Sequence, residues 1–292
     1  MEQSVRVINI VTPNKFVLNG LWFGSENPSK IIIFIHGLGG NAFSSHKLVV
    51  PLSDSQTTVI TFSNRGHDQI ASIKKVDNRK KKGYSRMTAG ATMEIFADCV
   101  DDIQGAVNYA LSVSPKASIY LSGHSTGCQK SAYYLSRFGK QKFIKGVILL
   151  APMSDYAAIL KFDKNGNLKT AENFAGNLVK KNQPQSLLPP EIWPDTVSAQ
   201  RFLSLATPES REEVFCYAVS GKTPDIFRKV KIPVLIVLAQ KDEYRDRPIN
   251  KIAAWFEKNS KSEKLSINVI PSAPHNFYKY GNQVLDLIKK FI

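Results

Sequence analysis

Apolar positions along this chain repeat with two different periods. Val5–Val11 and Phe16–Phe23 alternate between apolar and polar, and Pro13-Asn14 lies between them, which predicts two paired strands joined by a turn. Residues 31–35, Ile-Ile-Ile-Phe-Ile, form an unbroken β-branched and aromatic run, the pattern of a strand buried on both faces. Residues 57–62, 118–121, 147–150, 234–238 and 265–270 read as further strands. Between them the period changes. Over residues 92–112, Ile95, Phe96, Cys99, Val100, Ile103, Val107 and Leu111 fall on one helical stripe, with Pro115 just beyond. Residues 129–138, closed by Gly139, and residues 248–259 and 283–292 also read as helices.

Alternating strands and helices, with several strands apolar on both faces, predict a mostly parallel, doubly wound α/β sheet covered by helices on each side. Residues 154–226 break that rhythm. They carry Pro184, Pro189, Pro190, Pro194, Pro208 and Pro224 between short helical pieces, and a long non-repeating stretch inside a compact domain usually carries function. The expected organisation is a core of residues 1–153 and 227–292 with residues 154–226 inserted as a cap. Phe174, Leu187, Leu188, Ile192, Trp193, Phe202 and Phe215 are the cap residues expected to line a pocket or to bury one another.

Composition narrows the function. Apolar residues make up 43% of the chain and charged residues 22%, ordinary globular values. The net charge of +15 raises the question of nucleic acid or anionic surfaces. The dense basic cluster is Lys74, Lys75, Arg79, Lys80, Lys81 and Lys82; it lacks interleaved aromatics for base stacking, so it reads as a solvated loop and no nucleic-acid partner is expected. No apolar run approaches the ~20 residues that span a bilayer, so no stable membrane insertion is expected. The first residues lack a basic-then-apolar leader pattern, and three cysteines without zinc-type spacing suit a reducing compartment; the expectation is a cytoplasmic protein without a metal site.

The strongest chemical signal is Gly123-His124-Ser125-Thr126-Gly127, a G-x-S-x-G motif between an apolar strand and a helix. A sharp strand-to-helix turn there leaves the Ser125 hydroxyl exposed and aims the helix N-terminus at the site. Serine needs a base. Of the five histidines, His275 lies between the last strand and the last helix, where a parallel sheet gathers its loops. The base needs an orienting carboxylate; Asp242, directly after the strand over 234–238, is the candidate, with Glu243 and Asp246 nearby. Two backbone amides must receive the oxyanion: Thr126 follows the nucleophile, and Leu38, with Gly39 next to it, lies in His36-Gly37-Leu38-Gly39-Gly40. Gly37, Gly39 and Trp193 are the expected substrate contacts.

The elbow, the His-Gly loop, Asp242 and His275 together resemble the α/β-hydrolase superfamily of serine esterases and lipases, over a stretch from about residue 31 to the end. Asn64-Arg65-Gly66-His67 is similar to a loop-supporting segment of monoacylglycerol-lipase-type members, and Gly-His-Ser-Thr-Gly-Cys-Gln, ending at Gln129, to fungal siderophore-esterase relatives. The resemblance implies an acyl-enzyme mechanism on a small-molecule ester of small to medium acyl or aryl type, with no metal or organic cofactor. The same triad also serves thioesterases, lactonases, amidases and carbon–carbon hydrolases, and the fold is also used as a silent binding module.

Overall fold

The computed structural model describes residues 5–139, 141–163 and 165–292. A ten-stranded sheet runs through the described residues in the order β10 (Leu265–Ile270), β9 (Val234–Ala239), β8 (Ile144–Leu150), β7 (Ser118–His124), β3 (Lys30–Ile35), β4 (Thr57–Phe62), β2 (Phe16–Phe23), β5 (Ala71–Val76), β6 (Tyr84–Ala89), with β1 (Val5–Val11) paired to β2. β1 (Val5–Val11) and β2 (Phe16–Phe23) form the antiparallel pair that their alternation predicts. β3 (Lys30–Ile35) is the sheet's centre. Its Ile31, Ile33 and Ile35 enter the core on one face and Ile32 and Phe34 the core on the other. That two-sided burial is why the run does not alternate.

After the short helix α1 (His46–Val49) comes β4 (Thr57–Phe62), parallel to β3. The basic cluster departs from its expected loop. β5 (Ala71–Val76) and β6 (Tyr84–Ala89) pair antiparallel, so Lys74 and Lys75 lie in a strand and Lys80, Lys81 and Lys82 at the exposed hairpin tip. The alternation here is between half-exposed and exposed residues, with Ile73 and Ala89 the buried positions, which is too sparse an apolar pattern to announce a strand.

The helix expected over 92–112 is α2 (Cys99–Val113), preceded by a 3-10 turn at Phe96–Asp98. Residues 92–95 instead form a loop, where Glu94 is buried and ion-paired. β7 (Ser118–His124), α3 (Thr126–Phe138) and β8 (Ile144–Leu150) follow; β7 and α3 both reach further toward Ser125 than the sequence pattern marks. The C-terminal part is β9 (Val234–Ala239), α8 (Ile249–Asn259), β10 (Leu265–Ile270) and α9 (Gly281–Phe291). From β4 through β3, β7, β8 and β9 to β10 every pairing is parallel. The loops after these strands therefore converge on one edge of the sheet.

Between β8 and β9 the chain makes α4 (Asp155–Phe162), α5 (Leu168–Lys180), α6 (Ala199–Ala206) and the short α7 (Asp225–Arg228). α5, α6 and their connection bury Leu168, Ala171, Ala175, Leu188, Val197 and Phe202 in a small core of their own. Phe215 belongs instead to the main core, where it meets Phe227 and Phe256 edge-on.

Candidate active site

The sharp strand-to-helix turn at Ser125 follows from local geometry. Ser125 has φ 55° and ψ −127°, outside the regions that L-residues favour, a strain of about 1–3 kcal/mol held by its surroundings. Its amide donates to Leu150 O at 3.0 Å, tying the turn to β8. The flanking glycines are there because nothing larger fits. A Cβ on Gly123 would lie 2.2 Å from Gly127 O, and one on Gly127 would lie 2.2 Å from Ile35 O. Gly127→Ala should therefore push α3 away from β3 and cost about 2 kcal/mol or more, measured by denaturant unfolding.

His275 is held from three sides. Its Nδ1 lies 2.7 Å from Asp242 Oδ2, both residues being buried. Its own amide donates to Glu243 Oε2 at 2.9 Å, and the Tyr244 ring packs edge-on at 4.7 Å between centroids. Asp242 Oδ1 accepts from the Tyr244 amide at 2.9 Å. Asp242 thus contacts the imidazole, Glu243 contacts the backbone of the same loop, and Asp246 is occupied with Arg247. With the carboxylate on Nδ1, the proton sits there and Nε2 is left as a base.

Two other histidines near the elbow are held neutral. Burial, then the charge of Lys130, lowers His36 to about 3. Its Nδ1 meets Gly37 O at 2.8 Å and its Nε2 accepts from the Asn64 amide at 3.1 Å, so it braces the glycine loop. Burial, then His275, lowers His124 to about 4, and its Nε2 bonds His275 O at 3.0 Å. Arg65 supports the neighbouring loop through Asp98, Asp101 and Asp102.

Ser125 and His275 open on a cavity of about 900 Å³. Gly37, Leu38, Thr126, Met153, Asp155, Trp193, Phe202 and Tyr244 also line it. Ser125 Oγ lies 3.9 Å from Met153 Sδ, and Gly37 packs against Ser125 closely enough that a Cβ there would sit 3.0 Å from Ser125 Cβ. Among the described residues, neither the Leu38 nor the Thr126 amide donates to a protein acceptor. Gly39 turns the loop with φ 64° without itself lining the cavity. Of the apolar residues expected over the site, Trp193 and Phe202 reach it, with rings 5.0 Å apart, whereas Phe174, Leu187, Leu188, Ile192 and Phe215 do not line it. Cys128 is fully buried and its thiol bonds Gly123 O and Leu150 O, both at 3.2 Å. No group of three or more metal-ligating side chains occurs among the described residues, and none of their helices is long and apolar enough to cross a membrane.

Sequence reasoning missed Asp155, Met153 and Tyr244 as cavity-lining residues, and Gln129 as the side chain that holds Asp155. Asp155 and Met153 follow β8 at the same sheet edge as Ser125, a signal that the strand order alone would have given. Glu213 is another buried acid behind the wall. Its Oε2 accepts from the Tyr156 amide at 3.1 Å and its Oε1 from Ser154 Oγ. Burial outweighs the Ser154 bond and raises its carboxyl to about 7. A carboxyl that binds its proton more tightly when folded contributes stability below the ordinary Glu range, and that contribution is lost as pH rises through about 7. Glu213→Gln should accordingly flatten the decline of stability from about pH 5 to pH 8, read from melting temperatures across that range.

The parallel sheet, the strand–Ser125–helix elbow and the Asp242–His275 pair belong to the α/β-hydrolase fold. By its sequence the chain belongs to the DUF1749 family, described as proteins of unknown function, whose model matches residues 92–292. A relative is the UPF0613 protein PB24D3.06c of Schizosaccharomyces pombe, 25% identical over 203 residues; the match covers 60% of this chain and 63% of that protein, less than two thirds of its length. Among solved structures, a soluble variant of monoglyceride lipase from Saccharomyces cerevisiae, with a substrate analog, superposes with a TM-score of 0.63 at 15% identity, covering 99% of this chain and 94% of that one. Est1E from Butyrivibrio proteoclasticus, with ferulic acid bound, superposes with a TM-score of 0.59 at 18% identity, covering 97% of each chain.

Proposed function

We propose that this protein is a serine hydrolase that cleaves carboxylic esters through an acyl-enzyme intermediate. The observation that carries the proposal is the 2.7 Å contact of Asp242 with His275 Nδ1, in a loop that opens on the same cavity as Ser125. Ser125 Oγ attacks the acyl carbon while His275 Nε2 takes its proton. The unpaired amides of Leu38 and Thr126 receive the oxyanion, worth about 3 kcal/mol for each donor. His275 then protonates the leaving alcohol, and a water activated by the same imidazole releases the acid. Residues 154–226 act as the cap, with Trp193 and Phe202 as its apolar contribution to the pocket. The cavity's size and its aromatic wall suit small to medium acyl or aryl esters, and the ferulic acid held by Est1E is an acid of the aryl kind.

The test is a p-nitrophenyl ester series from acetate to palmitate, combined with fluorophosphonate labelling mapped by mass spectrometry. Turnover with the label on Ser125 supports the proposal, and the chain-length profile sizes the pocket. A folded protein that hydrolyses no ester and leaves Ser125 unlabelled would overturn it.

A further inference from the structure

The chain carries a net charge of +15, yet among the described residues no lysine or arginine lines the Ser125 cavity. Its acidic lining residues are Asp195, which is exposed, and Asp155, which is 6% exposed. The second of these is built into the wall. Gln129, one turn after Ser125 on α3, donates from Nε2 to Asp155 Oδ2 at 2.9 Å and to Met153 O at 3.1 Å. Two acceptors on one nitrogen fix which end of the amide faces Asp155, so Oδ2 is an acceptor there. Asp155 Oδ1 has no partner among the described residues. Met153, two residues earlier, touches the Ser125 hydroxyl at 3.9 Å, and Asp155 lines the same cavity as Ser125.

Behind Asp155 the balance of buried charge is unusual. Glu94, Glu212, Glu213 and Asp155 are buried carboxyls; among the described residues Lys130 and Arg201 are the fully buried cations beside them, with the half-buried Lys222 acting on Glu213. Arg201 is taken up by Glu94 and Glu212, and Lys130 by Glu94. Asp155 therefore has a hydrogen-bonding neighbour but no counter-ion of its own. Burial, then the charges of Glu212 and Glu213, pushes its carboxyl well above the usual carboxylate range. A buried carboxyl without a counter-ion takes up a proton or pairs with a cation brought by a ligand.

We infer that Asp155 is a specificity-determining residue that selects esters bearing a protonated amine close to the scissile carbonyl. The ammonium donates to Oδ1 and supplies the counter-ion that Asp155 lacks. A hydroxyl at the same place satisfies the oxygen but leaves the charge uncompensated, and a methyl group does neither. The inference rests on the ester-hydrolase reading of Ser125.

Steady-state kinetics on p-nitrobenzyl esters of β-alanine, 3-hydroxypropionate and butyrate test it, since the three acids differ only in an ammonium, hydroxyl or methyl terminus. For the wild type, kcat/KM on the β-alanine ester should exceed that on the butyrate ester by roughly ten- to a hundredfold, the range of a charge-assisted hydrogen bond. In Asp155→Asn that ratio should fall to within about threefold of one, whatever the absolute rates. A wild-type ratio near one, a preference for the hydroxyl over the ammonium ester, or an Asp155→Asn variant that keeps the ratio would each overturn the inference. Calorimetric binding of β-alanine benzyl ester and benzyl butyrate to Ser125→Ala reads the same preference without turnover. Tighter binding of the ammonium ester, in a protein whose wild type hydrolyses no ester, would keep the inference and sink the hydrolase reading alone. Equal binding of the two would overturn the inference itself.

Discussion

Replacing His275 with alanine should lower ester kcat/KM by on the order of 10⁵-fold, and replacing Ser125 should cost about as much, because in the proposed mechanism nucleophile and base act as one unit. The double variant should then be scarcely slower than either single one. The physical reason lies in the geometry at Nδ1. Asp242 holds the proton on that nitrogen at 2.7 Å, so Nε2 is the basic atom, and no other histidine can replace it. His36 and His124 are nearby, but burial keeps both neutral and each already spends ring nitrogens on the backbone. Asp242→Asn should be milder than His275→Ala, at about 10³- to 10⁴-fold, since the imidazole stays in place with its tautomer disturbed. Ester hydrolysis followed at saturating and limiting substrate checks the series. Strictly additive losses in the double variant would argue against a nucleophile–base unit.

The largest expected loss of stability comes from Arg201→Met. Arg201 is fully buried, with Glu94 at 3.0 Å and Glu212 on its other side, and Glu94 in turn holds the fully buried Lys130 at 2.6 Å. This chain joins α6 to α3, the helix that begins directly after Ser125. Removing its central cation leaves two buried carboxylates with too little positive charge, which should cost about 3–5 kcal/mol. For a chain of this size the melting temperature should fall by roughly 5–15 °C. The tie between α6 and the core has backbone support as well: the Ser198 amide donates to Thr92 O, and Thr92 Oγ1 and Gln69 Nε2 both donate to Thr196 O. Arg201→Met should therefore loosen this region without releasing it. Chemical denaturation measures the change, and a variant within about 1 kcal/mol of wild type would argue against this ion-paired chain as a stabilising tie.

Much of the fold was legible in the chain. The unbroken run over 31–35 announced a strand buried on both faces, and β3 is the sheet's centre. The antiparallel β1–β2 pair and the strands Thr57–Phe62 and Leu265–Ile270 have the bounds that the pattern gave them. Failures came where burial is partial or charge is buried. The β5–β6 hairpin shows too few apolar positions for a period to register, so its lysines read as loop. Ile95 and Phe96 continue a helical stripe that the chain does not follow, because Glu94 is drawn into the interior by Lys130 and Arg201.

For the site, the sequence by itself determined the residues that must be local. Gly123, Ser125 and Gly127 are bound to one another by a turn in which added atoms collide, so the motif carries its own geometry. His275 and Asp242 could be named because a parallel sheet delivers the loops after its strands to one edge, and strand order is readable from pattern. Only the tertiary structure decided which carboxylate meets His275, since Asp242, Glu243 and Asp246 are equivalent along the chain and differ in what their oxygens reach. It likewise decided which apolar residues of 154–226 face the cavity and which fill the cores, and it brought Asp155 and Gln129 together from separate elements. Those outcomes depend on contacts between segments far apart in sequence, where a side chain's role is set by what packs against it rather than by its neighbours in the chain.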